Sequence, residues 1–158
     1  MRKADAKEIY AASLILLIGI IYLAAQADAL FSMGSTTVKG DIIQLSKNEI
    51  LSHSRSVLTI VLCFSGGILL LKARTAGWII SLSILLLLIT ISSGIFLSNI
   101  TGLNVSGIVL IVGISLLLLA IIFLVQARAR QKFSVTKKSY LSVFVLFVVL
   151  VFFYFVLQ

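Results

Sequence analysis

The stretch "GIVLIVGISLLLLAIIFLV", residues 107 to 125, is nineteen residues long and contains no charged side chain. A helix rises about 1.5 Å per residue, so a run of about 20 apolar residues matches the ~30 Å hydrocarbon core of a bilayer. Four more runs of the same character flank it. They are "IYAASLILLIGIIYLAAQADALF" (9–31), "SVLTIVLCFSGGILLL" (56–71), "GWIISLSILLLLITISSGIFLS" (77–98) and "YLSVFVLFVVLVFFYFVL" (140–157). The 158-residue chain is 61% hydrophobic and 11% charged. A soluble domain carries about 25% charged residues, so this apolar excess calls for a lipid solvent. The expected fold is an all-α, polytopic membrane bundle of five transmembrane helices. It forms one domain spanning 1–158, with spans at about 9–31, 47–74, 77–98, 107–125 and 140–157.

The second run is short alone, but its helix is expected to begin earlier. Ser46 and Glu49 form an S-x-x-E capping box, with Leu45 and Ile50 at the staple positions. That places the start of helix two at Lys47 and its end near Arg74. Residues 32–46 form the small loop after helix one, and the Gly40-Asp41 signal within 36–45 allows a short hairpin or a coil. The first run has a rival interpretation. A basic start, an apolar stretch and Ala27-Asp28-Ala29 resemble a cleaved signal peptide covering 1–29, which would leave four helices. The long apolar stretch and the acids Asp5 and Glu8 favour a retained helix. Asn99 and Asn104 stand in N-x-S/T triplets, read as polar turn residues.

The net charge is +8. The basic residues sit between apolar runs, as the positive-inside rule requires, and not along a soluble face that could track nucleic acid. Arg2, Lys3, Lys7, Lys72, Arg74, Arg128, Arg130, Lys132, Lys137 and Lys138 fall on one side, against Lys39, Lys47 and Arg55 on the other. This bias places the N-terminus in the cytoplasm and the C-terminus outside, in what reads as a bacterial cytoplasmic membrane. Tyr10, Trp78 and Tyr140 fall at the cytoplasmic boundary, where amphipathic rings prefer to sit. Arg128, Arg130, Lys132, Lys137 and Lys138 are the candidate contacts to anionic lipid headgroups on that side.

No ionisable residue occupies the middle of any run. Such residues mark proton relays, ion paths and voltage sensors, so those functions are disfavoured. Small and hydroxylated residues do occur inside the spans: Ser65, Gly66, Gly67, Thr90, Ser93, Gly94, Gly113 and Ser115. They are candidates for helix packing, with lining of a pore as the alternative, and Thr90 with Gly94 forms a small-xxx-small pair. The fifth run, rich in Phe and Val, belongs at the rim of the bundle. "ILLLKAR" (68–74) and "IFLVQAR" (122–128) echo each other, which the grammar of an apolar helix ending in basic residues explains.

His53 is the only histidine and Cys63 the only cysteine, so neither a His-rich nor a thiolate metal site can form within one chain. Ser52, Ser54 and Ser56 are too close in sequence to face His53 on a helix. His53 is therefore expected at the solvated start of helix two, in contact with Glu49, Asp41 or Asp28. No catalytic, cofactor-binding or metal site is expected. The function expected is that of a small non-enzymatic membrane protein: an accessory subunit, an assembly factor or an immunity-type interaction protein, with a protein partner or a second copy of itself. The alternative is an oligomeric pore or carrier for a neutral small solute.

Overall fold

The structure, a computed structural model, describes residues 5–36, 47–98 and 105–156. It is built from six helices: α1 (Ala6–Thr36), α2 (Lys47–Leu71), α3 (Thr75–Ser98), α4 (Val105–Val125), the short α5 (Ala127–Lys132) and α6 (Lys137–Val156). No strand occurs among the described residues. All helices except α5 are long and apolar enough to cross a membrane. The all-α bundle expected from the apolar runs is thus the fold. The expected boundaries need three corrections. α1 starts at Ala6 and continues to Thr36, so part of the anticipated loop is helix. α2 ends at Leu71 rather than Arg74, and α5 interrupts what was expected to be a plain connection between the last two spans. The Ser46 cap and the 37–45 turn lie outside the described residues, as do Asn99 and Asn104.

Successive long helices run in opposite directions. α1, α2, α3 and α4 close a ring, with α1 against α2 and α4, and α3 against α2 and α4. α6 leans on α3 from outside that ring. The core follows from this layout. Ala11, Ala12 and Ile15 of α1, Cys63 and Leu70 of α2, Trp78 and Leu85 of α3, and Ala120 and Leu124 of α4 are all fully buried. On the outside, α4 and α6 present rows of bare aliphatic and aromatic side chains, such as Val109, Val112, Phe144 and Phe152. An outer face this apolar is stable only against lipid or another apolar surface.

Small residues set the closest approaches. A Cβ on Gly67 would stand 2.7 Å from Leu16, and one on Gly19 would stand 3.0 Å from Cys63 Cβ, so α1 and α2 meet through these glycines. The α2–α3 hairpin is tighter still. A Cβ on Gly77 would lie 2.3 Å from the Leu69 carbonyl carbon.

Both turns at this end use the same C-terminal motif. Arg74 N–H donates to Leu69 O and Ala73 N–H to Leu70 O, with Ala73 at φ 50°. Val135 N–H donates to Arg130 O and Ser134 N–H to Gln131 O, with Ser134 also at φ 50°. This is the Schellman arrangement, whose left-handed position usually holds glycine. The two echoing segments nevertheless differ. The Lys72 segment turns straight into α3, whereas Gln126, at ψ 148°, breaks the helix and starts α5.

Candidate functional site

The polar side chains of the bundle gather at its two ends. At the end that carries α5, the break at Gln126 leaves the last carbonyls of α4 without helical partners. Trp78 Nε1 donates to one of them, Leu124 O, at 2.9 Å. Phe133 follows α5 and is buried to 1% exposure, with Ala129 buried beside it. Thr75 Oγ1 holds the Phe133 carbonyl at 2.7 Å. In this way α5 and the turn after it cover the end of the ring. Trp78, expected at the lipid boundary, is instead wholly buried, edge-on to the Tyr140 ring at 5.4 Å. Tyr10 also turns inward, edge-on to Phe123 at 5.7 Å.

An ion pair ties α5 to the start of α1. Asp5 and Glu8 open α1 as a capping pair, with the Asp5 N–H donating to Glu8 Oε2 at 3.0 Å. The same carboxylate oxygen accepts from Lys132 Nζ at 2.6 Å, and Lys132 lies 3.8 Å from Asp5. The Glu8 side chain is 4% exposed and that of Lys132 13%. Lys132, placed by sequence among lipid-facing cations, thus has its ammonium on two carboxylates of the chain itself. Arg128, Arg130, Lys137 and Lys138 are exposed. Lys7 Nζ donates to Gln126 Oε1 at 2.8 Å and stands 5.4 Å from the centre of the Phe123 ring.

At the opposite end, His53 Nδ1 and Gln26 Nε2 form a hydrogen bond that joins α2 to α1. The amide of Gln26 is thus one partner of His53, beside the carboxylates expected from sequence. Asp28 is exposed, and the side chains of Glu49 and Asp41 lie outside the described residues. Close by, Arg55 Nη1 donates to Tyr154 O at 3.2 Å, with its guanidinium 5.4 Å from the Tyr154 ring centre. The arginine thereby meets a carbonyl in the last turn of α6, where helix carbonyls run out of helical partners. A half-buried Tyr22 lines the same region.

Between the ends, hydroxyls bond to backbone carbonyls. Ser65 donates to Leu62 O, Thr90 to Leu86 O and Ser115 to Ile111 O, each within its own helix. Ser83 bonds both Ile79 O at 2.9 Å and Val143 O at 3.2 Å, joining α3 to α6. The eight small residues singled out by sequence are not brought together. Gly66 packs on Ile80 and Ser81, and Gly67 on α1. Ser93 is half-buried, Thr90, Gly94 and Ser115 are exposed, and a Cβ on Gly94 or Gly113 would meet nothing within 4 Å. Gly94 therefore makes no close helix contact among the described residues, and Thr90 beside it is exposed. Gly113 borders a cleft of about 490 Å³ where α1 and α4 part over α3, lined by Leu17, Ile21, Val109 and Leu116 with Ser92.

Sequence reasoning missed Gly19, Gly77 and the Glu8–Lys132 pair. A glycine inside a helical pattern is a usable signal for the first two. The pair spans 124 positions and has no local signature. Among the described residues, no three His, Cys, Asp or Glu side chains converge as metal ligands would. In comparisons with known proteins, no family model, no curated protein and no solved structure matches the chain. What the fold itself defines is a class: an all-helical bundle with five helices fit to span a membrane.

Proposed function

We propose that this chain is a multi-pass integral protein of a bacterial cytoplasmic membrane, with the N-terminus and α5 in the cytoplasm and the C-terminus outside. It performs no catalysis. It acts through contact with another membrane protein, as an accessory subunit, an assembly factor or an immunity-type protein. The observation that supports this most is how its polar groups are used. Ser65, Thr90, Ser115 and Ser83 are closed on backbone carbonyls. His53 and Arg55 at one end and Lys132 at the other tie helices to one another. What the molecule offers outward is apolar surface on α4 and α6 and a basic rim of Arg128, Arg130, Lys137 and Lys138 suited to anionic headgroups.

The second reading, a pore or carrier for a neutral solute, draws on the cleft beside Gly113. Its aliphatic walls suit an apolar molecule better than a hydrated one. Affinity purification from membranes in mild detergent separates the two. The interaction reading expects a second protein in stoichiometric amount. A homogeneous oligomer of this chain alone that passes a neutral solute across liposomes would support the carrier and remove the interaction reading.

A further inference from the structure

The seam between α1 and α4 opens, at the α5 end, into a pocket of about 220 Å³ lined by Asp5, Lys7, Glu8, Phe123, Gln126 and Arg128. We propose that this pocket is a specific site for the phosphodiester of one anionic phospholipid, which rests on the membrane placement given above.

Charge segregation makes the site. Two carboxylates beside a pocket would ordinarily repel a phosphate. Here Lys132 sits on both, at 2.6 Å from Glu8 and 3.8 Å from Asp5. Among the described residues, the cations that line the pocket, Lys7 and Arg128, have no carboxylate within salt-bridge distance. Lys7 is held in place by two neutral groups, the Gln126 amide oxygen at 2.8 Å and the face of Phe123 at 5.4 Å. With its oxygen engaged by Lys7, the Gln126 amide keeps its N–H₂ group as a neutral donor. An ammonium, a guanidinium and an amide N–H₂ are donors that match the oxygens of a phosphodiester.

The walls favour a lipid over free phosphate. Phe123 closes one side, and the two turns of α4 before it carry the exposed Leu118, Leu119 and Ile122. A headgroup seated on Lys7 and Arg128 can lay its acyl chains along these residues without leaving the hydrocarbon. Lys132 is then a positioning residue: it neutralises the buried Glu8, offsets part of the charge of the exposed Asp5, and touches no lipid.

The test is native mass spectrometry of the full chain in detergent, titrated with phosphatidylglycerol, with phosphatidylcholine, or with phosphatidylglycerol plus excess inorganic phosphate. One phosphatidylglycerol per chain should be retained in preference to phosphatidylcholine, and inorganic phosphate should not displace it. Each basic residue near an anionic headgroup contributes roughly a fivefold factor, so Lys7→Gln with Arg128→Gln should weaken retention roughly thirtyfold. Lys72→Gln with Arg74→Gln, exposed in the turn between α2 and α3 and outside the pocket, should leave it unchanged. Lys132→Gln should narrow the preference for phosphatidylglycerol over phosphatidylcholine, and adding Glu8→Gln should restore that preference; a loss of both lipids alike would mark a purely structural contact and overturn the positioning role. Equal losses from the Lys7/Arg128 and Lys72/Arg74 pairs would overturn the site, as would equal retention of phosphatidylcholine or displacement by inorganic phosphate. The site and the placement fail separately. Retention with the Lys7/Arg128 pattern in a chain whose α5 end labels from outside would reject the orientation and keep the pocket.

Discussion

Gly77 makes the closest approach of the described glycines. The first turn of α3 crosses the last turn of α2 so closely that a methyl group there would overlap the backbone at Leu69 and Leu70. Backbone cannot swing aside as a flexible side chain can. Gly77→Ala should therefore cost about 1–3 kcal/mol, the usual range for overpacking. Gly113→Ala meets open space and, mid-helix, should gain about 0.5–1 kcal/mol from lost unfolded-state freedom. Denaturation midpoints in detergent check both, and equal midpoints for the two variants would remove the close-approach argument. Two serines make a second contrast. Ser81 Oγ is buried with no hydrogen-bond partner, whereas Ser83 Oγ joins two helices. Ser81→Ala should be neutral or stabilising, because it removes an unpaired buried hydroxyl. Ser83→Ala should cost about 0.5–1.5 kcal/mol. The same midpoints read this contrast, and a Ser81→Ala variant less stable than Ser83→Ala would contradict it.

At the scale of elements, the two left-handed turns are the adjustable points. A non-glycine residue in that conformation costs roughly 1–2 kcal/mol, and Ala73 and Ser134 both adopt it. Ala73→Gly and Ser134→Gly should each raise stability, by up to about 1 kcal/mol once the added unfolded-state entropy is set against the relief. A calorimetric scan showing both variants below wild type would mean the turns are not as described. The same elements show what could be read from sequence. The five spans were legible because long uncharged runs have no other stable environment. α5 was not, since "ARARQK" looks solvated until Ala129 and Phe133 find their cover in the ring end. The extension of α1 to Thr36 was hidden because polar residues beyond the apolar run can still continue a helix. His53 was correctly placed on a helix near one end. Its partner Gln26 depends on the register between α1 and α2, which no local pattern encodes. Gly66 and Gly94 read alike in sequence and differ only in which side of the helix meets a neighbour.

At the scale of the whole molecule, the ring of α1 to α4, its α5 cover and the outlying α6 make a bundle with two unlike ends. One end is drawn together by Lys132, Trp78 and Thr75, and its rim is basic. The other is joined by the His53–Gln26 and Arg55–Tyr154 contacts. The central claim is that five helices cross the membrane with the α5 end in the cytoplasm. Single cysteines placed in a Cys63→Ala chain, probed with a membrane-impermeant maleimide, test it directly. Cysteines at Lys39, Thr101 and Gln158 should label in intact cells, and those at Arg74, Arg128 and Lys137 only after permeabilisation. Labelling of Gln158 on the same side as Lys137, or of Arg128 in intact cells, would contradict the account.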